Sequence, residues 1–82
     1  MKTLVIIDDE VFFRKSLINF LEKQNIYKIV GEANNGQAGI KLIENIKPDI
    51  ALVDISMPIM SGLDMIETFG ADCHTKFILS TG

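Results

Sequence analysis

TLVIIDDEVFFRKSLINFLEKQ, Thr3 to Gln24, changes its period in the middle. Thr3 to Asp8 is an unbroken β-branched and aliphatic run of strand length, the pattern of a strand covered on both faces. From Val11 to Gln24 the apolar residues Phe13, Leu17, Phe20 and Leu21 recur at i, i+4, i+7 and i+8, while Arg14, Lys15, Glu22 and Lys23 take the opposite face. That spacing predicts an amphipathic helix. Three acids, Asp8, Asp9 and Glu10, mark the junction, where Asp9 or Glu10 suits an N-cap or a first turn facing the helix dipole.

The same switch of period repeats along the chain. YKIVGEA (Tyr27 to Ala33) reads as a second strand, and Asn34 to Gly36 is turn chemistry leading into a helix that carries Ile40, Ile43 and Ile46 up to Pro48. DIALVD (Asp49 to Asp54) is a third buried strand. After a loop from Pro58 to Gly62, a short helix runs from Leu63 to Phe69 with Gly70 in a C-cap position, and KFILST (Lys76 to Thr81) is a fourth strand. Strands alternating with helices predict an α/β domain with a parallel sheet, each helix serving as a right-handed crossover.

The 82 residues suffice for one domain of a size that buries only about 60 to 65% of its unfolded surface. A composition of 48% apolar and 23% charged residues excludes disorder, and a net charge of -3 offers no basic patch for nucleic acid. The single Cys73 has no disulfide partner and no metal-type spacing, so it reads as inert in a reducing compartment. MKTLVII is too short for a signal peptide or a membrane span, which places the chain in the cytoplasm with no membrane partner. Neither GxGxxG nor a GK[ST] loop follows any strand, which excludes a nucleotide-binding reading.

In an open parallel sheet, ligands bind outside the carboxyl ends of the strands. Asp8 and Asp9 close the first strand, Asp54 the third and Thr81 the fourth. Neighbouring strands lie about 4.8 Å apart, so if strands one and three adjoin, their carboxylates repel unless a cation joins them. Oxygen donors without His or Cys favour a hard ion such as Mg²⁺. A carboxylate beside Mg²⁺, with a strand-end hydroxyl nearby, suits a phosphoryl acceptor, and Asp54 is the candidate nucleophile.

Each of these residues also has an ordinary reading. A strand-end Asp is common turn chemistry, Thr81 is a common strand residue, and Met57, Met60 and Met65 suit packing. His74 has no acid at catalytic spacing and reads as a solvent-facing loop residue without a role.

VIIDDE (Val5 to Glu10), Arg14, EANNGQAG (Glu32 to Gly39), PDIALVDISMPIMSG (Pro48 to Gly62) and ILSTG (Ile78 to Gly82), in that order and spacing, resemble the receiver domain of bacterial two-component response regulators over its first two thirds. The resemblance implies a flavodoxin-like, CheY-like doubly wound parallel sheet of strand order 2-1-3-4. It implies Asp54 as phosphoacceptor, Asp9, Asp54 and the Ser56 backbone carbonyl as direct Mg²⁺ ligands, Asp8 as a ligand through water, Thr81 as the switch hydroxyl, and Pro58 and Gly62 as shapers of the adjoining loop.

The implied donor is a sensor histidine kinase and the implied target an output module, DNA-binding in a transcriptional regulator, with the chain itself not an enzyme beyond assisting its own phosphorylation. The family's Lys and last helices lie on segments that would follow Gly82, so residues 1–82 are expected to be a receiver truncated after its fourth strand. The resulting apolar edge, Lys76 to Thr81, predicts a homo-oligomer or strand swap. A phosphohydrolase of the haloacid dehalogenase type wants a second Asp where Ser56 stands, and a phosphate-independent pseudo-receiver would not need Asp8, Asp9, Asp54 and Thr81.

Overall fold

The computed structural model describes residues 1–57, 60–70 and 73–80, and within them strands and helices alternate. They run β1 (Lys2–Ile7), α1 (Val11–Gln24), β2 (Tyr27–Ala33), α2 (Gly36–Ile46), β3 (Ile50–Asp54), α3 (Gly62–Glu67) and β4 (Lys76–Ser80). The sheet has the order β2-β1-β3-β4, and its three pairings are all parallel. This is the doubly wound architecture expected from the alternating periods, and it places β1 and β3 side by side. Pro58 and Thr81 lie outside the described residues.

The core follows from strand alternation, since successive side chains point to opposite faces. Val5 and Ile7 of β1, Ala33 of β2, and Ala51 and Val53 of β3 meet Ile43 of α2 and Met65 of α3 in one buried cluster that also takes in Met57. Each fully buried aliphatic side chain there contributes about 1.5–3 kcal/mol by leaving water. The helix α2 reaches the sheet closely because Gly39 faces it: a Cβ at that position would lie 2.8 Å from Ile7 Cδ1. Its inward stripe is therefore Gly36, Gly39 and Ile43, with Ile40 and Leu42 partly buried, and Ile46 stands half out of the packing.

Helix ends are set by local chemistry. The Glu10 carboxylate caps α1 by accepting from the Phe12 N–H at 3.0 Å, Asn35 caps α2 by accepting from the Ala38 N–H at 2.8 Å, and Ser61 with Asp64 forms a reciprocal capping box on α3. The α3 helix stops at a Thr68 C-cap in right-handed conformation, so Gly70 is not its cap as the sequence pattern implied. Asn25 and Lys47, both left-handed, end α1 and α2.

The polarity of α1 differs from the sequence expectation. Arg14, assigned to the solvent face, is buried, whereas Phe13 and Phe20 are 40% and 59% exposed. The reason is electrostatic: Arg14 Nε donates to Glu32 Oε1 at 2.7 Å and its Nη1 to the Asp8 carbonyl at 2.6 Å. Those polar groups cluster at the strand ends, where α1 begins. Hydrophobic periodicity does not register an acceptor supplied by another strand.

Candidate metal centre

The site is built by strand register. Parallel pairing that sets Ile7 beside Val53 carries the next residues, Asp8 and Asp54, to the same level at the carboxyl edge. Asp8, Asp9 and Asp54 each offer a carboxylate oxygen, and these atoms lie within 4.8 Å of one another. Asp8 and Asp54 are buried, at 4% and 6% exposure, and Asp9 is open to solvent. A cleft of about 240 Å³ lined by Asp8, Glu10, Phe13 and Asp54 opens above them.

Each buried carboxylate is aimed by backbone donors. The Asp8 N–H donates to the Ala33 carbonyl at 3.0 Å, and the Asp8 Oδ1 accepts from the Glu10 N–H at 2.8 Å. Asp54 Oδ1 accepts twice from one residue, from the Ser56 N–H at 3.0 Å and the Ser56 hydroxyl at 2.8 Å. The Ile55 N–H donates to the Ser80 carbonyl at 3.1 Å, which ties this loop to the end of β4.

Burial pushes the Asp8 carboxyl above its ordinary value, the Glu10 N–H pulls it part of the way back, and the charges of Asp54 and Asp9 push it up again. At an effective dielectric near 20, two unit charges at such a separation repel by about 3 to 4 kcal/mol, less for the exposed Asp9. The donor set is carboxylate oxygen alone, two groups buried and one accessible, held by hydrogen bonds that leave further lone pairs. These residues fit a hard divalent cation of the Mg²⁺ kind.

Gly62 packs directly against the backbone that follows Asp54. A Cβ at this position would lie 2.7 Å from the Asp54 carbonyl oxygen and 3.0 Å from Ile55 Cα, both backbone atoms that cannot swing aside. Gly62→Ala is therefore expected to displace the Asp54 loop and to lower Tm by about 10 °C, from about 1–3 kcal/mol of overpacking. An unchanged thermal melt would show that the loop accommodates the methyl group.

Sequence reasoning brought Asp8, Asp9 and Asp54 together correctly but missed three contacts. The Ser56 hydroxyl and N–H on Asp54 follow an Asx-type pattern, two residues after an Asp, that was available in the sequence. Arg14 had no such signal. His74 is exposed as expected but does have an acid: its Nε2 lies 3.0 Å from Asp49 Oδ1, while Asp49 Oδ2 accepts from the Thr3 N–H and hydroxyl. These hydrogen bonds, that of the Thr3 N–H the largest and that to His74 next, hold the Asp49 carboxyl below its ordinary value. This group sits at the opposite end of the sheet from the three aspartates, beside a 590 Å³ hollow bordered by Ile43, Lys47, Phe69 and Cys73.

Among the described residues, no helix is long and apolar enough to cross a membrane. Residues 4–82 match the family model described as the response regulator receiver domain. The chain is 37% identical over 81 residues to the transcriptional regulatory protein YdfI of Bacillus subtilis, which covers 99% of this chain and 38% of that protein. It is 41% identical over 79 residues to the transcriptional regulatory protein BtsR of Escherichia coli, covering 96% of this chain and 33% of the relative. The chain thus spans well under half the length of these relatives.

Among solved structures, the signal receiver domain of the putative response regulator NarL from Mycobacterium tuberculosis superposes with a TM-score of 0.85 at 31% identity, covering 95% of this chain and 64% of that one. The response regulator domain of Thermotoga maritima CheB gives 0.87 at 26% identity, covering 96% and 59%. With its 2-1-3-4 parallel sheet and an acid cluster at the ends of β1 and β3, this chain belongs to the response regulator receiver domain family.

Proposed function

We propose that Asp54 accepts a phosphoryl group from a sensor histidine kinase, and that the change is passed to an output module carried by a longer protein of which residues 1–82 are part of the receiver. The observation that carries this reading is the meeting of three carboxylates within 4.8 Å at the carboxyl edge of a parallel sheet, with the buried Asp54 at the end of β3. Two transcriptional regulators among the relatives support a transcriptional output.

Asp8, Asp9 and Asp54, with the Ser56 backbone carbonyl, are the groups that would hold Mg²⁺. When bound, Mg²⁺ supplies neutralisation of the acid cluster and of the phosphoryl oxygens. The chain's own residues do the rest. Ser56 donates twice to Asp54 Oδ1, which fixes the carboxylate plane and presents the second oxygen, Oδ2, as the nucleophile. As the Oδ2–phosphorus bond forms, the phosphorus–nitrogen bond of the donor's phosphohistidine breaks, and the imidazole nitrogen leaves with the electron pair and takes a proton from solvent. The cleft above Asp54, with Phe13 on its wall, admits the donor. Thr81 serves as the hydroxyl that binds the new phosphoryl group.

The full protein carrying this segment, incubated with acetyl phosphate and Mg²⁺, is expected to gain the mass of one phosphoryl group as an acid-stable, base-labile acyl phosphate, and to gain none with a chelator present. Absence of uptake in both conditions would point instead to a domain that signals by binding alone.

A further inference from the structure

We infer that Arg14 is a positioning residue for the cation site: its guanidinium grips the Asp8 carbonyl and so sets the peptide that joins Asp8 to Asp9. This inference rests on the proposed metal reading. Arg14 is 8% exposed at the start of α1, and its Nη1 donates to the Asp8 carbonyl oxygen at 2.6 Å. Its Nε donates to Glu32 Oε1 at 2.7 Å, and Glu32 Oε2 takes a second cation, Lys15, at 2.8 Å. The guanidinium is planar and carries several donors in fixed directions, so two acceptors, one on β2 and one just after β1, define its orientation.

The purpose of this arrangement follows from what it holds. Three polar handles of Asp8 are each tied down: its N–H to Ala33 of β2, its side chain to the Glu10 N–H at the N-cap of α1, and its carbonyl to Arg14 within α1. The Asp8 carbonyl belongs to the peptide plane that leads into Asp9. Fixing that plane fixes where the exposed Asp9 carboxylate stands relative to the buried pair.

A simple packing role does not require a cation there. Burying an ion pair is costly, and an apolar replacement of similar volume is commonly neutral or stabilising, yet this helix buries its arginine while Phe13 and Phe20 remain exposed. Groups that orient the ligands of a metal commonly change its affinity by 10–100-fold when removed.

Two physical effects predict opposite signs, which makes the role testable. Removing a positive charge beside an acid cluster strengthens cation binding if charge alone matters. Losing the grip on the Asp8 carbonyl weakens it if position matters.

The experiment is an Mg²⁺ titration of the ¹⁵N-labelled chain, followed through the backbone amide shifts of Asp9 and Glu10, for the unmodified chain, Arg14→Met, Arg14→Lys and Lys15→Met. The expected result is a Kd for Mg²⁺ raised about 10–100-fold in Arg14→Met and by a smaller factor in Arg14→Lys, which keeps the charge but not the two-directional grip. Lys15→Met, which removes a charge from the same Glu32 without touching Asp8, is expected to leave the Kd unchanged or lower.

A Kd for Arg14→Met equal to or below that of the unmodified chain overturns the inference, as does an equal rise in Lys15→Met. If Arg14→Met does not fold, Arg14→Lys against Lys15→Met decides, and an unaltered Kd in Arg14→Lys overturns it. An unmodified chain whose amide shifts ignore Mg²⁺ overturns the metal reading itself and this inference with it, whereas a responsive chain with indifferent Arg14 variants overturns this inference alone.

Discussion

Asp54→Asn is expected to abolish phosphoryl uptake while leaving the fold intact. The amide is nearly isosteric with the carboxylate, and its oxygen keeps the acceptor that the Ser56 N–H and hydroxyl require, so the β3 end and its loop retain their hydrogen bonds. What disappears is the anionic oxygen that would bond to phosphorus. The substitution also removes one of three mutually repelling charges, so the melting temperature without Mg²⁺ is expected to hold or rise. Intact mass after treatment with acetyl phosphate and Mg²⁺ checks the first outcome, and a thermal melt the second. Persistent uptake in Asp54→Asn would mean that another side chain is the acceptor.

Asp8→Asn is expected to have opposite effects with and without Mg²⁺. Burial, the largest effect, raises the folded Asp8 carboxyl above its unfolded value; the Glu10 N–H comes next and lowers it, and the neighbouring Asp54 and Asp9 charges raise it again. A raised folded pKa means that the folded chain holds this proton more tightly than the unfolded chain does. The stability so contributed is complete below the ordinary value of 3.8 and is lost as pH rises through the folded pKa. Above the folded pKa the chelated chain therefore carries this penalty, which Asp8→Asn removes, raising its Tm there and flattening the decline of stability above pH 3.8.

Saturating Mg²⁺ reverses the comparison. At a hundredfold excess over Kd a cation stabilises the unmodified chain by about 2.7 kcal/mol, on the order of 10 °C for a domain of this size, and Asp8→Asn is expected to lose most of that gain. Glu32 provides an internal reference of opposite sign. Its carboxyl is held below 4.5, chiefly by the hydrogen bond from Lys15 and then that from Arg14, so its contribution is present above that value and is lost as pH falls through the folded pKa. That acid limb is expected to remain in Asp8→Asn. A variant whose Tm matches the unmodified chain in both chelator and Mg²⁺ would remove Asp8 from the site.

How far the sequence was legible depended on whether the deciding force was local. The four strands and three helices followed from apolar runs, helical periods and caps, each of which acts over a few residues. Boundaries moved by one or two positions, as at Gly70, where the helix closed two residues earlier on Thr68. The candidate site was legible because strand-end acids are read directly, and a parallel sheet brings strand ends to one edge whatever the side chains between them.

Arg14 and His74 show where that reading stops. Placing Arg14 by helical period sent it to solvent, because the period counts apolar neighbours along one helix and cannot count the Glu32 carboxylate on β2 or the Asp8 carbonyl after β1. His74 met Asp49 only because β4 starts beside β3, 25 positions back in the chain.

By itself, the sequence determined which segments form strands and helices and which residue types stand at the strand ends, because these are properties of short stretches. Only the tertiary structure decided which acids share a pocket, which arginine meets the Asp8 carbonyl and which glycine lets the loop close, because hydrogen bonds, charge repulsion and hard-sphere contact act across a few ångströms of space between residues far apart in the chain.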